Sequence, residues 1–319
     1  MEAQNIKTVM VIGAGIMGQG IIQSFAQAGL SVRVVDVGKE VLDRCMVQVD
    51  ANLRLFQEFG LLEEEPSSIK ARIHPVLTDD LAREAERCDF VLETVPENLD
   101  LKKKIFAQLD SCHPEVIISS NTSSCTVASL TEGCRTPNRM IGLHYFNPAH
   151  IMPLVEIHYS PWTSTETIAT TKALMVRVGK KPIIVKKDIP GLIGSRIQVA
   201  MAREIESLLA QDVASPEDID TVAKASYGFR HACIGNLEAY DMVGLDTMEA
   251  VERRIYKELS NATDPTPILV EKVQRGELGV KSGQGWFDYT GKSKEKVLDS
   301  QNRRLLKQLA LFKSFEKEG

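Results

Sequence analysis

From residue 8 to residue 187, short runs rich in valine and isoleucine alternate with stretches of helical spacing; after Pro190 the strand pattern stops. Such alternation marks βαβ units, in which parallel strands are joined by crossover helices. The predicted strands span 8–13, 31–36, 72–77, 89–95, 116–120, 140–146, 153–159 and 182–187. Between the second and third, residues 39–60 carry apolar side chains at Val41, Leu42, Cys45, Met46, Val49, Leu53, Leu55 and Phe56, an amphipathic helix longer than a crossover needs. Proline and glycine punctuate the change of pattern at Asp188, Ile189, Pro190 and Gly191. Helical spacing then runs through 193–211, 216–227, 237–259 and 265–276, followed by an aromatic segment at 285–290 and a charged helix at 292–315. Residues 1–188 are therefore expected to form a doubly wound α/β domain of Rossmann type, and residues 189–319 an all-helical domain.

The 319 residues, 43% apolar and 25% charged, suit a globular chain with room for two cores. A net charge of -5, from 38 basic and 43 acidic residues, provides no basic face for nucleic acid and no attraction to anionic membranes. Partners are expected to be small molecules or further subunits. The six cysteines never stand at CxxC spacing, which points to neither a metal site nor a disulfide framework and fits a reducing, cytoplasmic compartment. The first strand begins within a few residues of the start of the sequence, so no signal peptide is expected, and no apolar run approaches membrane-spanning length.

The first strand leads into Gly13, Gly15 and Gly18, with Ile16 and Met17 between the second and third glycines. A GxGxxG turn at a helix start lets backbone approach a pyrophosphate and presents unpaired N–H groups to it. Asp36 ends the second strand eighteen residues after Gly18, placed to accept hydrogen bonds from a ribose and to repel a 2'-phosphate. The combination predicts NAD in preference to NADP. A glycine-rich turn kept for packing alone, or an S-adenosylmethionine site, is the alternative at this point.

Polar clusters follow the fourth and fifth strands, where a doubly wound sheet opens to ligand. One holds Glu97, Asn98 and Lys102, the other Asn121, Thr122 and Ser123; each residue taken alone also suits a helix cap. His144 and Glu156 lie twelve residues apart in two apolar runs joined by a proline-containing turn. If both runs are strands, they meet as a base and its orienting carboxylate, and an alcohol oxidation needs such a base while hydride leaves for nicotinamide. The carboxylate fixes the imidazole and stabilises the imidazolium that forms. Against this stands the reading of a histidine in an apolar strand as an ordinary core residue, kept for His74, His113, His158 and His231; His150, in the turn between the two runs, is read as facing substrate.

Through IGAGIMGQGI, ETVPENLDLKKKIFAQLD, SNTSS, GLHYFNP, PLVEI, KKDIPGLIGSRI, AYDMVGLD and GVKSGQGWFDY, the chain resembles the NAD-dependent 3-hydroxyacyl-CoA dehydrogenases and their relatives acting on free hydroxy acids. The resemblance covers almost the whole chain. It implies a cofactor-bearing Rossmann domain, a helical domain that closes on it, and a homodimer. It implies a catalytic pair at His144 and Glu156, a catalytic serine at Ser123, and cofactor contacts at the glycine loop, Asp36, Glu97, Lys102, Asn121 and Asn147.

Several departures from the acyl-CoA pattern bear on substrate. Ser195 stands where the family usually has a catalytic asparagine; it keeps one donor and two acceptors but has a shorter reach. Pro153 replaces a common lysine, and Glu63, Glu64 and Glu65 occupy the region where the nucleotide of coenzyme A would approach. The segment SYGFRHACIGNLEAYD is more similar to the L-gulonate dehydrogenase and lambda-crystallin branch, which implies that Arg230 pairs with a substrate carboxylate; a surface arginine, or one bridging to Glu238, is the alternative. The resemblance thus implies oxidation of the 3-hydroxyl of a small carboxylic acid. A short-chain 3-hydroxyacyl-CoA substrate, or a recruited structural role of crystallin type, is the alternative.

Overall fold

The computed structural model describes residues 2–318, which divide into two compact units. The first runs through Ile193 and takes in Leu305–Ala310; the second holds Gly194–Arg304 and the chain from Leu311.

In the first unit one sheet is built from β1 (Thr8–Ile12), β2 (Ser31–Asp36), β3 (Ile73–Leu77), β4 (Phe90–Glu93), β5 (Ile117–Ser120), β6 (Met140–Tyr145), β7 (Leu154–His158) and β8 (Lys181–Val185). Its order is β3-β2-β1-β4-β5-β6-β7-β8. The first six strands are parallel, β7 runs antiparallel to β6, and β8 is parallel to β7. This is the doubly wound arrangement expected, with the order reversing between β1 and β4, where such sheets bind ligand at the carboxyl ends. The helices of this unit are α1 (Ile16–Gln27), α2 (Lys39–Glu58), α3 (Pro66–Lys70), α4 (Leu81–Ala85), α5 (Leu99–Leu109), α6 (Val127–Leu130) and α7 (Thr165–Arg177).

Both sheet faces are covered, which is why the central strands read as continuous apolar runs. On one face Val9, Val11, Val32 and Val34 pack with Ile21, Phe25 and Leu53 of α1 and α2 and with Leu174 and Met175 of α7. On the other, Met10, Val35, Val91 and Ile118 pack with Ile105, Phe106 and Leu109 of α5. Each such fully buried side chain contributes about 1.5–3 kcal/mol. The far end of α2 is covered as well: Phe56 is buried with Ile151 and with Leu306 and Leu309 of the C-terminal helix.

The second unit contains α8 (Gly194–Ala210), α9 (Pro216–Ala225), α10 (Tyr227–His231), α11 (Asn236–Val243), α12 (Leu245–Ile255), α13 (Pro267–Gln274) and most of α14 (Lys294–Glu318). The helical spacing over 237–259 is broken in the structure at Gly244, which at φ +99 leaves the right-handed region and starts α12 on a new axis. Among the described residues, no helix is long and apolar enough to cross a membrane, and no group of three or more His, Cys, Asp or Glu side chains is arranged to hold a metal ion.

Candidate active site

The glycine loop has the shape a pyrophosphate requires. Gly13 adopts φ +99 and lies against Thr94, and a Cβ on Gly18 would stand 2.0 Å from the carbonyl oxygen of Gly13, so these two serve the turn and its packing. Gly15 differs: nothing lies within 4 Å of where its Cβ would be. It is also the N-cap of α1, and no side chain caps that helix. The first N–H groups of α1 are thus left for a ligand, with Ile16 70% exposed beside them and Met17 packed on the core. Asp36 completes the cradle. Its Oδ2 accepts from Ala14 N–H and its Oδ1 from Gly38 N–H, both at 3.0 Å, which locks the carboxylate against the loop with lone pairs to spare for ribose hydroxyls. These residues fit NAD. Gly15→Ala is expected to leave the melting temperature unchanged while weakening NAD binding about tenfold or more; unaltered affinity in a calorimetric titration would contradict the placement.

Sheet register gathers the other polar clusters at the same edge. Ile12 pairs with Glu93, Glu93 with Ser120, and Ser120 with Gly142, so the loops after β1, β4 and β5 and the end of β6 are neighbours. Asn121 Oδ1 accepts from Tyr145 N–H at 2.8 Å. Glu97 Oε1 accepts from the hydroxyls of Thr122 and Ser124 and from the N–H groups of Ser123 and Ser124, fixing the backbone that carries Ser123. Lys102, 1% exposed, bonds both oxygens of Glu93 at 2.8 and 3.0 Å and lies 3.4 Å from Glu97. Expected from the sequence as a cofactor contact, its ammonium is enclosed here as a brace between strand and loop. Asn147 is exposed just past β6.

Glu97 responds to acid in a definite direction. Burial alone would raise its carboxyl, but the bonds from Thr122 and Ser124 and the Lys102 charge outweigh it and hold the group at about 2, below its ordinary 4.5. The folded form is therefore favoured by this group above about pH 4.5, and the gain is lost as the pH falls toward 2. Thermal unfolding from about pH 5 down to about pH 2 is expected to fall more steeply for the wild type than for Glu97→Gln. Parallel curves would show that the contacts carry no linkage.

The histidine and glutamate meet as the strand reading requires. His144 and Glu156 are directly paired across β6 and β7, with Nδ1 2.8 Å from Oε2. Glu156 is 0% and His144 7% exposed. The other carboxylate oxygen accepts from Ile193 N–H at 3.0 Å. A carboxylate can only accept, so the Nδ1 hydrogen points to it and Nε2 keeps its lone pair for a substrate proton. Phe146 packs on the imidazole with ring centroids 4.6 Å apart. Ser123 follows β5 at the same edge, three residues beyond the Ser120 pairing with Gly142.

Three other predicted residues are carried by other elements. The His150 ring packs on Phe56, with centroids 5.8 Å apart, and against Gly20 of α1. Its Nε2 is closed from solvent without a partner, and burial followed by the Lys180 charge pushes the imidazole down to about 4. The ring expected to face substrate thus packs on α1 and α2. Ser195 is in the first turn of α8 and Arg230 in the last turn of α10, both in the second unit. Two features escaped the sequence reading: Glu93, a carboxylate ending an apolar strand nine residues before Lys102, and Asp188, which bonds buried His158 at 2.8 Å.

The 3-hydroxyacyl-CoA dehydrogenase NAD-binding domain matches residues 8–189, and the C-terminal domain of the same enzymes matches residues 191–289. A relative from Mesorhizobium japonicum, 5-formyl-3-hydroxy-2-methylpyridine 4-carboxylate 5-dehydrogenase, is 32% identical over 302 residues, covering 94% of this chain and 96% of its own. A solved structure of an enzyme of that name, described as an NAD+-dependent dismutase, superimposes with a TM-score of 0.89 at 31% identity, covering 97% and 99% of the two chains. The (S)-3-hydroxybutyryl-CoA dehydrogenase PaaH1 of Ralstonia eutropha gives a TM-score of 0.72 at 39% identity, over 90% of this chain and 100% of its own.

Proposed function

We propose that this chain, which belongs to the 3-hydroxyacyl-CoA dehydrogenase family, reversibly oxidises the 3-hydroxyl of a small free carboxylic acid to a 3-oxo group with NAD as acceptor. The observation that carries the redox reading is the buried His144–Glu156 pair, 2.8 Å apart, at the strand edge shared with the glycine loop.

Bound NAD supplies the hydride acceptor. His144 takes the hydroxyl proton at Nε2, while Glu156, pinned through its second oxygen by Ile193 N–H, holds the ring and stabilises the imidazolium. Ser123, on a backbone that Glu97 immobilises, hydrogen-bonds the reacting oxygen. Ser195 supplies a further hydroxyl, and Arg230 pairs with the substrate carboxylate through its planar fork.

The free-acid reading draws support from the M. japonicum relative, whose name is that of a pyridine carboxylate dehydrogenase. It is also supported by Glu63 and Glu65 beyond α2, whose carboxylates oppose the phosphates of coenzyme A, while Glu64 beside them is paired with Arg72. A short-chain 3-hydroxyacyl-CoA is the second reading, favoured by the likeness to the R. eutropha enzyme. Apolar side chains turned outward in the second unit, among them Phe229 at 77%, Leu237 at 78% and Met242 at 69% exposure, support association with a second copy of the chain.

The test is a steady-state screen of NADH formation on free 3-hydroxy acids against their CoA thioesters. The reading expects free acids to be preferred in kcat/KM; preference for thioesters would replace it with the second. Arg230→Ala is expected to raise KM for the acids about ten- to a hundredfold while sparing thioesters. Equal effects on both would remove the carboxylate clamp.

A further inference from the structure

We propose that Asp188 is a positioning residue for the site, holding the backbone strap 188–193 so that it orients both Glu156 and the Ser123 loop. The proposal rests on the reading of His144 and Glu156 as base and orienting carboxylate.

The anchor is a second histidine–carboxylate pair on the same pair of strands. Gly142 pairs with His158, and His144 with Glu156, across β6 and β7. Alternate residues share a face of a strand, so the two pairs sit side by side. His158 is 0% exposed, and a Cβ on Gly142 would stand 1.9 Å from its Nε2: the imidazole lies directly on strand backbone and only glycine leaves it room. Its Nδ1 is 2.8 Å from Asp188 Oδ1. The other Asp188 oxygen accepts from Val127 N–H, at the start of α6 and four residues past Ser123.

From this anchor the strap turns through two residues of positive φ, Gly191 at +79 and Leu192 at +46. Leu192 is 2% exposed, and a side chain of its kind adopts that conformation only where its surroundings impose it. The turn delivers two N–H groups. That of Gly191 donates to the Ser123 carbonyl at 3.2 Å, and that of Ile193 donates to Glu156 Oε1 at 3.0 Å. With Oε2 on His144 and Oε1 on the strap, the Glu156 carboxylate cannot rotate without losing a bond. One aspartate therefore fixes the strap that aligns the base and the loop bearing Ser123.

The full-length protein is tested as Asp188→Ala and Asp188→Asn, reading kcat, substrate KM, NADH affinity by fluorescence titration, and melting temperature. The alanine variant is expected to lose about thirtyfold or more in kcat, with KM and NADH affinity within about threefold, because misalignment acts on the chemical step. The asparagine variant keeps an acceptor for Val127 and gains a donor toward His158, and should recover most of the loss. A kcat within about threefold of wild type in the alanine variant, or loss of kcat, NADH affinity and melting temperature together with no recovery in the asparagine variant, would overturn the proposal. If the alanine variant does not fold, Asp188→Ser carries the test: its single short hydroxyl cannot hold both His158 and Val127, so kcat must fall at unchanged NADH affinity, and an unchanged kcat overturns the proposal. Wild-type protein inactive on every hydroxy acid and thioester would overturn the base assignment and this proposal with it; normal wild-type turnover beside an unaffected alanine variant overturns this proposal alone.

Discussion

Replacing His144 with alanine is expected to lower kcat for NADH formation by about a hundred- to ten-thousandfold while leaving NAD affinity within about a factor of two. The size follows from geometry. Nδ1 is committed to Glu156 at 2.8 Å, so Nε2 is the one ring nitrogen open to substrate, and the fully buried Glu156 is held by Ile193 and His144 in an orientation that only serves the ring. The cradle for NAD is built from Gly15, Ala14, Asp36 and Gly38, none of which bonds His144, so binding and chemistry should separate. Glu156→Gln probes the same step with almost no change of volume. Its amide keeps an acceptor, but an N–H turned toward Nδ1 drives the ring to the tautomer with its hydrogen on Nε2, where a base cannot work. Steady-state kinetics with an equilibrium NAD titration on each variant reads the split. A His144→Ala enzyme retaining a third or so of wild-type kcat would remove the base assignment.

How far the sequence carried this picture depends on the distance over which each feature is determined. The βαβ alternation is local, and every predicted strand is present within two residues at each end, because both faces of the sheet are buried and the apolar runs are long. The His144–Glu156 pairing was also legible, since a hairpin leaves few registers that keep both side chains on one face. Gly244 broke a helix that spacing alone would continue, because φ +99 is a backbone property that periodicity does not sense. The packing of His150 was hidden for a different reason: its partner Phe56 is 94 residues away, so nothing in the turn itself announces the contact. Asp188 looked like punctuation between domains, yet its partners are His158 at the end of β7 and Val127 at the start of α6. Lys102 was recognised as belonging to the site but its burial was not, since a lysine on the inner face of α5 is tolerable only because Glu93 faces it from β4.

That buried pair leads to the largest stability effect expected of a single side chain here. Lys102→Met should destabilise the first unit by about 3–5 kcal/mol, the usual result of leaving one partner of a buried ion pair uncompensated. For a unit of this size that corresponds to a fall in melting temperature of roughly 6–20 °C. Lys102 reaches both oxygens of Glu93, the carbonyl of Val95 at 3.3 Å and the Glu97 carboxylate, and Glu93 is 0% exposed. Without the ammonium, Glu93 retains bonds only from Val95 N–H and the Ser120 hydroxyl, each at 2.6 Å, too few to replace the water it has given up. The double variant Lys102→Met with Glu93→Gln removes both charges, and should recover a large part of the loss because the penalty belongs to the stranded carboxylate rather than to the missing lysine. Urea and thermal unfolding of wild type, single and double variants measure this. A single variant costing less than about 1 kcal/mol, or a double variant no better than the single, would show that the pair behaves like a solvent-screened contact, and the brace between β4, α5 and the Ser123 loop would then need another source of rigidity.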